Sequence, residues 1–95
     1  LHIATKNNNL DMVKLLLDKG QINVNAKNSE GWTALHIASI NNFNDIAKYL
    51  IRDGHADVNE INNEQNTPLH IVSQHGNNII AQFLISNKAD INYKN

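Results

Sequence analysis

Five histidines have the widest chemical reach in this 95-residue chain, and three of them, His2, His36 and His70, recur at a fixed interval of 34. An imidazole titrates near neutral pH and ligates metals, so such a set invites a metal site or acid–base chemistry. The other two histidines do not complete one. His70 and His75 are five apart, which turns them to different faces of a helix, whereas a helical zinc pair is spaced i, i+4. His55 occupies an inserted loop position with no partner in the sequence. The chain contains no cysteine, which removes disulfides, thiolate nucleophiles and cysteine-ligated zinc. Ser39 and Ser73 recur among small residues and read as packing groups rather than nucleophiles. The glycines are dispersed, so no loop is suited to cradling a phosphate. The expectation is a chain that is not an enzyme, with no catalytic residue, no metal ligand and no cofactor.

The bulk composition narrows the partners. A hydrophobic fraction of 41% with 18% charged residues belongs to a globular chain rather than a disordered one. The formal net charge is −1 and the basic residues form no run, so neither nucleic acid nor an anionic membrane surface is expected as a partner. No apolar stretch approaches the roughly 18 residues of a membrane span. A cytoplasmic location is the accompanying expectation.

What must position the histidines is an internal repeat. Leu-His-Ile occurs at Leu1, Leu35 and Leu69, a constant step of 34. Leu16-Leu17, Leu50-Ile51 and Leu84-Ile85 follow in register, and Val24-Asn25, Val58-Asn59 and Ile91-Asn92 close the units, the last one residue early. The units are 1–27, 28–61 and 62–95. Each reads as helix, turn, helix and extended loop. Thr33 and Thr67 are the N-caps expected for the first helices of the second and third units, and Pro68 fits the first helical position. The first helices of the three units end at Asn8, Asn42 and Gly76, residue types that tolerate a left-handed backbone. The second helices carry apolar stripes: Met12, Leu15, Leu16 and Leu17, then Ile46, Tyr49, Leu50 and Ile51, then Ile80, Phe83, Leu84 and Ile85. Gly20 and Gly54 terminate two of them, and the Asn-rich segments beyond suit hairpin-like turns stabilised by side chains such as Asn25, Asn59, Asn92, Asp57 and Asp90.

Gly31-Trp32-Thr33-Ala34-Leu35-His36-Ile37-Ala38, Thr67-Pro68-Leu69-His70 and Asp53-Gly54-His55-Ala56-Asp57-Val58-Asn59 resemble the ankyrin repeat, and the resemblance covers essentially the whole chain. It implies an all-α solenoid of helix-turn-helix units with β-hairpin-like loops, and a histidine whose imidazole bonds loop backbone. Two positions depart from the pattern: Gln65 stands for the hairpin glycine and Lys88 for the glycine after the last second helix. Distortion of both turns is expected, since a side chain at a left-handed position costs about 1 kcal/mol. The units at either end look cut from a longer array, which leaves Ile3 and Met12 without an upstream neighbour and makes self-association through exposed solenoid ends a further expectation.

The resemblance further implies protein–protein recognition through the concave face and hairpin tips, within a larger scaffold or adaptor. Carried onto matching positions, the recognition residues are Lys6 and Asn7; Lys27, Ser29, Glu30, Trp32, Ile40 and Asn41; then Ile61, Asn63, Glu64, Asn66, Gln74 and His75. Trp32 is either a partner anchor or a residue packed across its own hairpin. The alternatives are an architectural spacer that contacts no partner, and a regulatory array fused to a catalytic or channel domain outside this segment. Exposure of Trp32 and Ile40 favours binding; burial of both favours the spacer.

Overall fold

The computed structural model describes residues 1–20, 22–76 and 78–87. Six helices follow one another as three pairs: α1 (His2–Lys6) with α2 (Leu10–Asp18), α3 (Ala34–Ile40) with α4 (Asn44–Arg52), and α5 (Pro68–His75) with α6 (Asn78–Ser86). The first helices stack in the order α1, α3, α5 and the second helices in the order α2, α4, α6, so every pair packs on its neighbour in the same register. The fold is therefore an all-α solenoid. Among the described residues there is no strand, and the loops are hairpin-like only at their tips.

The local signals act as their chemistry requires. Thr33 and Thr67 are extended N-caps whose side chains accept from the backbone N–H of His36 and His70, and Pro68 begins α5. The turns inside each pair pass through Asn8 at φ 56°, Asn42 at φ 62° and Gly76 at φ 71°, one left-handed position filled by the two residue types that tolerate it best.

The stack buries Val13, Ala34, Leu35, Ala38, Ile46, Ala47, Leu50, Val72, Ile80 and Leu84 almost completely. At about 1.5–3 kcal/mol for each large aliphatic side chain removed from water, this core is the main source of cohesion. The middle pair is covered on both sides, and the stripe of the first pair differs from the reading above because it is not. Met12 and Leu15 are 41% and 50% exposed, while Val13, outside the expected stripe, is fully buried. Met12 occupies the register of buried Ile46 and Ile80, and it and Ile3 are exposed because no described element covers that side of the first pair. At the far end Ile85 is exposed where Ile51 is buried, and Ser73 is exposed where Ser39 is buried. Ser73 is thus not a packing residue here, because no described element covers its side of α5. Ser39 is one: its hydroxyl donates to the Leu35 carbonyl at 2.7 Å inside the core.

Three loop expectations are corrected. The turn at Gln65 is not distorted. Gln65 takes φ 63° and keeps the pattern of its counterpart Gly31, donating to the Asn62 carbonyl at 2.9 Å as Gly31 does to that of Asn28 at 3.0 Å. After α4 the left-handed residue is His55 at φ 56° rather than Gly54, whereas after α2 it is Gly20 at φ 71°. Gly54 is needed for space instead, since a Cβ there would meet the Leu50 carbonyl at 2.9 Å. Finally, the Asn25 side chain does not serve its own turn; it accepts from the Asp57 N–H of the following loop at 2.7 Å. Lys88, Asp90, Ile91 and Asn92 lie outside the described residues.

Candidate partner-binding groove

Of the recurring histidines, His36 is fastened at both ring nitrogens. In α3 the Thr33 N–H donates to His36 Nδ1 at 3.1 Å and the Thr33 hydroxyl lies 2.8 Å from the same nitrogen. Nδ1 is therefore the acceptor, and Nε2–H donates to the Asn66 carbonyl at 2.9 Å. His2 repeats the outer half of this link with an Nε2–H bond to the Trp32 carbonyl at 2.8 Å. His70 repeats the inner half, its Nδ1 accepting from the Thr67 N–H at 3.0 Å. Burial holds the His36 imidazole below its ordinary value of 6.5, with nearby Lys27 acting in the same direction and the bond to Asn66 opposing it. An imidazole held by three such contacts has no open coordination position. Among the described residues no three His, Cys, Asp or Glu side chains stand close enough to hold a metal ion.

These links set the hairpin tips against the helix stack. Asn28 Oδ1 accepts from the N–H groups of Glu30 and Trp32 at 2.9 and 3.0 Å, and Asn62 does the same for Glu64 and Asn66 at 2.9 and 3.0 Å. Neighbouring tips then bond to each other. The Asn63 N–H donates to the Glu30 carbonyl at 3.0 Å, and Asn63 Nδ2 donates to the Ser29 carbonyl at 3.1 Å. The approach is close enough that a Cβ on Gly31 would stand 2.7 Å from the Asn63 nitrogen.

Between the tips and the first helices lies an open cleft of about 280 Å³. Glu30, Trp32 and Glu64 line it from the tips, and Lys6, Ile37 and Asn41 from α1, α3 and the residue ending α3. The Trp32 ring is half-buried, stacked edge-on against His36 with centroids 5.8 Å apart. One portion of the ring packs on its own unit and another faces the cleft.

The structure brings some of the expected recognition residues together and disperses others. Lys6, Glu30, Trp32, Asn41 and Glu64 share the cleft. Ile40, 40% exposed, takes the register of Lys6 and Gln74, and Asn41 that of Asn7 and His75, so these form two rows along the first helices, exposed throughout. Asn63 and the backbone of Ser29 are engaged in tip-to-tip bonds, Asn66 in the links to His36 and Asn62, and Lys27 in an ion pair with Glu60 at 3.5 Å. These four build the platform. Ile61 is half-buried. Sequence reasoning missed Ile37 as a cleft residue, because its place in Leu-His-Ile reads as core, and Asn28 and Asn62 as tip organisers, although their 34-residue spacing carried the signal.

A family model for ankyrin repeats matches residues 1–95 in three copies. This chain belongs to the ankyrin-repeat family. Ankyrin repeats are generally protein–protein interaction modules, and the family is typically non-catalytic. No curated protein matches the sequence. Among the described residues, no helix of these ankyrin repeats is long and apolar enough to cross a membrane.

Proposed function

We propose that this ankyrin segment binds a protein partner in the cleft between its hairpin tips and first helices, as one section of a larger scaffold or adaptor. The observation that carries the reading is the joint exposure of Trp32, half-buried in the cleft, and Ile40, 40% exposed on the neighbouring helix row. A spacer gains nothing from an aromatic and an aliphatic side chain left in water, whereas such residues are the usual energetic centres of an interface. Lys6, Asn7, Asn41, Gln74 and His75 flank them along the helices; Lys27, Ser29, Glu30, Asn63, Glu64 and Asn66 supply the tip side, partly through the backbone frame they hold. Domain boundaries at 27/28 and 61/62 belong to the same proposal.

The test is capture from a lysate of the source organism. Wild-type chain and a Trp32→Ala, Ile40→Ala double variant of unchanged circular dichroism serve as bait. A protein retained by the wild type and lost by the variant supports the reading; one held equally by both contradicts it. Self-association is supported separately by the exposed Ile3, Met12 and Leu15 on the first helix pair and Ile79 and Ile85 on α6. Sedimentation velocity across a concentration series tests it, and a constant monomer would dismiss it.

A further inference from the structure

The lining of the cleft is unbalanced in charge. Glu30 and Glu64 sit on adjacent hairpin tips, both exposed, and among the described residues neither makes an ion pair. Among the described residues the one cation lining the cleft is Lys6, so two carboxylates share the cleft with one ammonium. The Asn28 and Asn62 side chains fix the backbone N–H of both glutamates at 2.9 Å, so the tips hold their spacing without help from the carboxylates. Lining the same cleft as these acids is Trp32, the strongest cation-binding ring among the side chains. Carboxylates without ion-pair partners beside a partly exposed indole make a surface complementary to a cationic group with an apolar stem.

We infer that the cleft takes a lysine or arginine side chain of an extended partner segment. The stem lies against Trp32 and Ile37, and the charged head is within the field of Glu30 and Glu64. The inference rests on the partner-binding reading above and adds the chemistry of the partner. Lys6, on α1, is left to pair with an acidic group of the same segment. No change in the fold is required, because neither glutamate side chain is used in holding the tips together.

The experiment uses a random dodecapeptide library displayed on phage, panned against immobilised wild-type chain. Individual binders are then tested as synthetic peptides against Trp32→Ala and a Glu30→Gln, Glu64→Gln double variant of unchanged circular dichroism. The expected outcome is enrichment of Lys or Arg in the selected peptides, with affinity lowered about tenfold or more by the double glutamine variant and reduced by added salt. Panning Glu30→Lys, Glu64→Lys is expected to select acidic residues instead. Peptides that need Trp32 but show no basic enrichment, or bind the glutamine variant equally well, would overturn the charge inference and leave the groove reading standing. Absence of any peptide whose binding needs Trp32 would overturn both.

Discussion

The Nε2–H of His36 donates to the backbone carbonyl of Asn66 at 2.9 Å, joining α3 to a hairpin end 30 residues downstream. With Nδ1 accepting from Thr33, one fully buried ring caps its own helix and ties it to the next unit. The spacing that first suggested a metal site is therefore that of a structural link, repeated from His2 to Trp32.

Acid should loosen this link. Burial, aided by Lys27 and opposed by the bond to Asn66, holds the His36 imidazole below 6.5 in the fold. The unfolded chain takes up the proton first, so the contribution is complete above about 6.5 and is lost as pH falls from there toward the folded value. Protonated Nδ1 would also point a proton at the Thr33 N–H that now donates to it. Urea unfolding at about pH 7.5 and about pH 5 is expected to show lower stability at the acid end. His36→Gln should cost about 1–3 kcal/mol at neutral pH, from buried groups left unpaired, and flatten the pH dependence. A His36→Gln profile parallel to that of the wild type would remove His36 as the cause.

The equivalent positions Gly31 and Gln65 should respond in opposite directions. Gly31→Ala adds a Cβ 2.7 Å from the Asn63 nitrogen at a left-handed residue, so tips must separate as well as strain. A loss of about 2 kcal/mol or more is expected. Gln65 already bears the strain at φ 63°, and Gln65→Gly should stabilise by about 0.5–1 kcal/mol. Thermal melts of both variants decide the matter; effects equal in size and opposite in sign would mean that the tip contact contributes nothing.

The second helices offer a contrast between a buried and an exposed leucine at neighbouring register positions. Leu50 is fully buried and Leu50→Ala should cost about 2–5 kcal/mol. Leu15, half exposed, should cost well under that when truncated, within about 1 kcal/mol. Denaturant midpoints at constant slope check the pair.

How much of this was legible follows from where the physics is local. The 34-residue register, the Thr33 and Thr67 caps and the left-handed Asn8, Asn42 and Gly76 depend on short stretches of chain, and they stand where the sequence placed them. Val13 in place of Met12, and exposed Ser73, depend on what covers each pair, which a repeat pattern treats as identical in every unit. Asn25 and Asn63 reach across to neighbouring loops, contacts of 32 and 34 residues in sequence that turn chemistry alone does not reveal. The cleft combines both kinds: its exposed rows came from the register, but the inward position of Ile37 came only from stacking.

Burial also grades the stability along the array. The α3–α4 pair is covered by a neighbour on each side, the outer pairs on one. Native-state hydrogen exchange should show the amides of Leu35–Ala38 and Ala47–Ile51 protected most, with those of α1 and α6 exchanging through smaller openings. Uniform protection across all six helices would contradict this gradient.

The most direct test of partner recognition is the dissociation constant of the captured protein, measured for wild type, Trp32→Ala, Ile40→Ala and, on the outer face, Leu15→Ala. Recognition in the cleft predicts that the Trp32 and Ile40 variants bind about tenfold or more weakly, while Leu15→Ala matches the wild type. Unchanged binding by the first two variants, with loss in Leu15→Ala, would move recognition out of the cleft to the outer face of the stack.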